Sequence, residues 1–130
     1  MILEMKEGRT ACDISASVAD YETFDAPFAG YLDVSACYIE WTEATGSQTS
    51  AQAVISLYVG GNVVGTVTAS QSGAIGDVQT FTVDGTYATA ANPHVEFAAG
   101  DVIKYGVTTQ GSGGTVTGLA IPHQCLCLGV

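Results

Sequence analysis

The sequence predicts an all-β, single-domain chain, an antiparallel sandwich or barrel of about eight strands, and three observations carry that prediction. Segments alternating between apolar and polar residues, rich in Val, Ile, Thr and Tyr, recur along its length. Clusters of Gly, Asn and Ser cut those segments into lengths suited to short strands. No run has the three- and four-residue apolar spacing of an amphipathic helix, and the Ala-containing stretch 86–91 is too short and too polar to form one. At 130 residues the chain is long enough to bury about two thirds of its unfolded surface around one core.

Residues 1–9 read as an N-terminal arm of mixed charge, leaving 10–130 as the β-sandwich domain. The first strand is expected over 10–18. An acidic, aromatic connection follows, with Asp20, Tyr21, Glu22, Phe24, Asp25 and Pro27. A long strand or bent pair covers 29–41, and 42–50 is a polar loop. Residues 51–59 and 62–69 make the clearest hairpin, because Gly60-Gly61-Asn62 supplies residues that accept positive φ in a tight turn. On its first arm Ala53, Ile55, Leu57 and Val59 share one face, and Ser56 and Tyr58 the other. Residues 70–76 form a Gly/Ser loop, 77–83 a strand, and 84–93 an irregular stretch closed by Asn92-Pro93. Strands at 95–97 and 102–108 flank the turn at 98–101. After a flexible tip at 109–114, strands at 115–121 and 123–129 are separated by Pro122.

Composition narrows the function. Thirteen acidic residues stand against three basic ones, Lys6, Arg9 and Lys104, for a net charge of −10. Nucleic acid and anionic membrane surfaces are bound through clustered Lys and Arg, so neither is an expected partner. No apolar run approaches the roughly 20 residues of a membrane-spanning helix. The first nine residues lack the apolar core of a signal peptide, which leads to the expectation of synthesis in a cytoplasm. In that reducing setting Cys12, Cys37, Cys125 and Cys127 are read as small apolar residues rather than disulfides.

The chemistry-bearing residues form no strong pattern. His123, Cys125 and Cys127 alternate along one strand, but zinc requires four ligands, and His94, Cys12 or Cys37 would have to complete the shell. Glu96 and Asp101 flank a hairpin expected between the strands at 95–97 and 102–108 and could approach each other, but without the fixed separation that glycoside hydrolysis demands. Asp20, Glu22 and Asp25 lack the twelve-residue Ca²⁺ loop. Gly111-Ser112-Gly113 is a loop tip rather than a nucleophile elbow. No enzyme activity, metal or cofactor is therefore expected. The remaining candidates are partner-binding: Lys6 and Arg9 on the arm, and Trp41 beside the loop at 42–50.

Two segments carry a resemblance. Val54-Ile55-Ser56-Leu57-Tyr58-Val59-Gly60-Gly61, leading into Val63-Val64-Gly65-Thr66, and Val95-Glu96-Phe97-Ala98-Ala99-Gly100-Asp101-Val102-Ile103 resemble the jelly-roll pattern of C1q/TNF-like trimer heads. Similar short, acidic jelly rolls occur among tailed-phage head decoration (cement) proteins and fibre tips. The resemblance implies a jelly-roll sandwich, a homotrimer, and a structural virion protein on the capsid surface that binds and stabilises the major capsid protein shell. The alternative it leaves open is a fibre tip or a carbohydrate-binding β-sandwich module, with Trp41 and the loops at 42–50, 70–76 and 109–114 as its rim.

Overall fold

A computed structural model describes residues 2–5, 9–12, 18–41, 53–68, 78–109, 119–122 and 125–129, with side chains placed for 25–38, 53–68 and 78–107. These form thirteen strands and one short 3₁₀ turn, Val34–Ala36. The strands are β1 (Ile2–Met5), β2 (Arg9–Cys12), β3 (Val18–Asp25), β4 (Gly30–Asp33), β5 (Tyr38–Trp41), β6 (Val54–Val59) and β7 (Asn62–Thr68). They continue as β8 (Val78–Thr80), β9 (Thr82–Val83), β10 (His94–Phe97), β11 (Val102–Thr109), β12 (Leu119–Pro122) and β13 (Cys125–Gly129). All pairings are antiparallel, in ladders ordered β1-β13-β4-β10, β3-β11-β6-β7-β9 and β2-β12-β5-β8.

The first and third ladders are successive lengths of one layer. The run from Ile2 to Cys12 supplies β1 and then β2, and the run from Leu119 to Gly129 supplies their partners β12 and β13. The run Gly30–Trp41 joins the two ladders, since β4 pairs with β13 and β5 with β12. The 3₁₀ turn Val34–Ala36 lies between β4 and β5. Asp33 caps it, accepting the Ser35 N–H on its side chain.

Eight runs of chain therefore build two layers. Numbered in chain order, one layer reads 1-8-3-6 and the other 2-7-4-5, with β6 and β7 as runs four and five. Each run pairs with the run equally far from that central hairpin on the other side. This is a long hairpin rolled into a sandwich, the double Greek-key arrangement of a jelly roll. The all-β sandwich expected from the sequence is the fold observed, with eight runs divided into shorter strands.

The core lies between the layers. Ala53, Ile55, Leu57 and Val59 are buried, as the alternation predicts, and meet Ile103, Tyr105 and Val107 of β11 in the same layer. Leu32, Val34, Val95 and Phe97 are buried on the opposing layer. Cys37 is fully buried among them, in agreement with its reading as a small apolar residue.

Local features follow from residue chemistry. Gly60 and Gly61 have φ of 58° and 85°, the two positive angles of a two-residue primed turn between Val59 and Asn62. Val64 is skipped in the β6–β7 register, and the carbonyl of this bulge accepts the Asp84 N–H at 2.9 Å. The strand expected over 77–83 changes layers midway. β8 pairs with β5, β9 pairs with β7, and between them Phe81 is buried with its ring centroid 5.4 Å from that of Tyr105.

Three expectations are corrected. Ile2–Met5 is not a free arm but strand β1, whose backbone bonds are spent on β13; Arg9 likewise lies in β2. The acidic, aromatic segment is largely strand: Glu22, Thr23, Phe24 and Asp25 register against Tyr105, Lys104, Ile103 and Val102. Lastly, β10 and β11 are not partners in a hairpin. The turn between them carries the chain from one layer to the other, since β10 pairs with β4 and β11 with β3 and β6.

Candidate interaction surface

The outward face of β4 and β10 concentrates the exposed chemistry of the described residues. Burial alternates along both strands: Gly30 and Leu32 face inward on β4, and Val95 and Phe97 on β10. The intervening residues Tyr31, Asp33, His94 and Glu96 point away from the core. The register sets His94 opposite Asp33 and Glu96 opposite Tyr31, so the four make one patch. The Tyr31 and His94 rings lie diagonally, 6.5 Å between centroids and tilted by 46°. His94 Nε2 is 3.8 Å from Asp33 Oδ2. Beside the patch, Glu96 and Asp101 border a depression of about 330 Å³ with Ala29, Phe97 and Ala98. Asp101 is engaged in closing its own turn, where its Oδ2 accepts the Ala98 N–H at 2.8 Å.

The order of these groups decides what they can do. The Ser35 hydroxyl donates to Asp33 Oδ1 at 2.5 Å, and Asp33 in turn faces His94. A serine nucleophile needs the imidazole between hydroxyl and carboxylate. Here the carboxylate stands between them, so His94 does not reach the Ser35 proton. The four side chains form a mixed aromatic and ionisable surface. Tyr31 is 37% exposed at a layer edge formed, among the described strands, by β10.

The sequence-predicted residues fall elsewhere. Lys6 lies outside the described residues. Arg9 pairs with Pro122, and Trp41 with Leu119, so both flank β12 at positions three residues apart along it, about 10 Å at strand rise. The loops at 42–50 and 70–76 and residues 110–114 of the third rim loop also lie outside the described residues. Cys125 and Cys127 pair with Met5 and Leu3 in one ladder, and Cys12 pairs with Leu119 in another. His94 is exposed on the outer face while Cys37 is buried in the core, so the sheet separates these two candidate ligands. Among the described residues no three His, Cys, Asp or Glu side chains converge as a metal site. The Tyr31 patch was only half legible in the sequence. His94-Val95-Glu96-Phe97 alternates cleanly, but its significance depends on β4 being its neighbour, which periodicity does not reveal.

No model of a known protein family matches the chain, and no curated protein or solved structure matches it either.

Proposed function

We propose that this chain is a structural virion protein, a capsid decoration (cement) protein that assembles as a homotrimer and binds the major capsid protein shell. The observation that carries the reading is the rolled-hairpin strand order. The two segments that prompted the jelly-roll comparison are its central hairpin, β6–β7, and its layer crossing, β10 to β11. The reading is further supported by the Tyr31, Asp33, His94 and Glu96 patch, a mixed aromatic and ionisable surface at a layer edge. Closed symmetry would repeat that patch on each subunit. Many such copies around a shell turn modest single contacts into durable attachment. The acidic composition suits binding to protein rather than to packaged nucleic acid.

The test begins with mass spectrometry of density-purified particles from the source of the sequence. The protein is expected as a stoichiometric shell component, and purified protein is expected to rebind to heads stripped of it. Light scattering should give a solution mass near three times 13.3 kDa. Absence from purified particles, together with failure to rebind stripped heads, would refute the proposal.

A further inference from the structure

The excursion between β9 and β10 has features that the contact role leaves unused. Residues 85–93, Gly-Thr-Tyr-Ala-Thr-Ala-Ala-Asn-Pro, contain no charged side chain in a chain of net charge −10. The segment is nevertheless braced. The Asp84 carbonyl accepts the N–H groups of Tyr87 (3.1 Å) and Ala88 (3.2 Å), and Asp84 Oδ1 accepts that of Thr86 (2.9 Å). Thr89 and Asn92 exchange backbone bonds in both directions at 3.0 Å, and Thr89 Oγ1 accepts the Asn92 N–H as well. Ala88 packs against the hydrophobic core, which ties the loop to the sandwich.

This bracing presents a fixed depression of about 280 Å³, lined by Gly85, Thr86, Tyr87, Ala88, Thr89 and Asn92. The volume falls just under the range of drug-sized ligand sites, about 300 Å³ upward, and suits a ligand of one or two sugar rings. Tyr87 is 43% exposed. The Asn92 side-chain amide, two donors and an acceptor, makes no hydrogen bond among the described residues. The lining thus combines one aromatic surface with neutral hydroxyl and amide groups, and supplies no charge.

We infer that this loop is a binding site for a neutral saccharide. A sugar ring has an apolar C–H face that can lie on Tyr87 and equatorial hydroxyls that exchange hydrogen bonds with the Asn92 amide and the Thr89 hydroxyl. An ionic ligand would find no counter-charge in the lining. The net charge of the chain also opposes acidic sugars. Because the loop is already held in shape, little ordering cost falls on binding. The site is distinct from the Tyr31 patch, and from the rim around Trp41 that the sequence suggested.

The test uses the full chain. Neutral oligosaccharides (maltotriose, chitotriose, lactose) and sialyllactose are titrated by saturation-transfer NMR and on a glycan array. Binding of at least one neutral glycan in preference to sialyllactose is expected. Tyr87→Ala should weaken it about tenfold or more, as removal of a central aromatic contact does, and Asn92→Ala should weaken it too. Both variants are checked for unchanged circular dichroism and melting temperature. No binding to any neutral glycan would overturn the inference. So would binding that survives Tyr87→Ala and Asn92→Ala in folded protein, or that is lost only in Trp41→Ala. None of these outcomes depends on capsid attachment, so this inference and the decoration reading can fail separately.

Discussion

Gly65 offers the sharpest test of the packing between the layers. A Cβ built on it would lie 2.8 Å from Val34 Cγ1, 3.3 Å from the Thr82 carbonyl oxygen and 3.4 Å from Phe81 Cβ. The first distance is too short for any real contact, so Val34 or the β7 backbone has to move. Neither moves freely. Val34 is fully buried, its N–H is fixed to the Pro93 carbonyl at 3.1 Å and its own carbonyl accepts the Cys37 N–H at 3.1 Å. Gly65 sits in register with Leu57 on one side and Val83 on the other. Overpacking of this kind costs about 1–3 kcal/mol. Reduced freedom of the unfolded chain returns about 0.4–1 kcal/mol for Gly→Ala. The net expectation for Gly65→Ala is destabilisation by about 1–2 kcal/mol, or roughly 4–8 °C in melting temperature.

The background decides the sign. Val34→Ala removes the clashing methyl, at a cost of about 2–3 kcal/mol for the cavity it leaves. In that background Gly65→Ala loses its closest clash, and the entropy term leaves it neutral or slightly stabilising. Urea denaturation of the wild type, both single variants and the double variant measures the coupling, with equal slopes as the check that unfolding remains comparable. An equal cost of Gly65→Ala in both backgrounds would refute the packing argument. So would a Gly65→Ala protein as stable as the wild type.

Three further expectations follow from the structure. At the β6–β7 turn, Gly61→Ala has open space around its new Cβ but a φ of +85°, so backbone strain alone should cost about 1 kcal/mol. Gly60→Asn should be nearly neutral, because Asn accepts the first position of a primed turn; chemical denaturation of the two variants separates strain from contact. The Asp84 carboxyl is held below its ordinary 3.8, first by the Thr86 backbone N–H and then by the Thr86 side chain. Its contribution to stability is therefore full above 3.8 and lost as pH falls through the lower folded value. Asp84→Asn should be less stable than wild type near neutrality, with the gap closing in strong acid as seen in melts across pH. Removing residues 1–5 deletes β1 and bares the edge of β13. At about 1 kcal/mol per ladder bond the loss is about 3–4 kcal/mol, with increased self-association of the exposed edge on size exclusion. A truncated protein as stable as the full chain would show that β1 contributes no pairing.

What the sequence revealed was whatever depends on neighbours along the chain. The Gly60-Gly61 turn follows from a local φ requirement, the inward face of Ala53, Ile55, Leu57 and Val59 from a spacing of two, and the burial of Cys37 from its small apolar side chain, although only the 3₁₀ turn Val34–Ala36 brings it to the same side as Leu32 and Val34. What it obscured depends on partners distant in sequence. Ile2-Leu3-Glu4-Met5 gives no clear alternation, and only the arrival of β13 from the other end of the chain makes it a strand. Glu22 and Asp25 resemble parts of a solvated connection until β11 supplies Tyr105 and Val102 as their ladder partners. The layer switch at Phe81 leaves no mark in the local pattern, because Thr80, Phe81 and Thr82 would fit an unbroken strand equally well. The Tyr31 patch required the β4–β10 pairing, and the Tyr87 depression required the hydrogen bonds that fold 84–92 back on itself.

The rolled-hairpin order also constrains where any partner can attach. The run containing β1 and β2 closes one side of its layer by pairing with the run containing β13 and β12. A partner that drew β1 away for its own use would open the β13 edge, so attachment that displaces β1 competes with folding. The opposite side of that layer carries no such conflict: β10 gives one edge to β4 and turns its outer face, with His94 and Glu96, away from the core. The cost of recruiting Tyr31, Asp33, His94 and Glu96 is confined to desolvating side chains already in place. A contact role for this protein is thus well served by the β4–β10 side. Charge reversal at Glu96 should change partner binding while leaving the melting temperature within about 1 °C, the small effect expected of an exposed substitution.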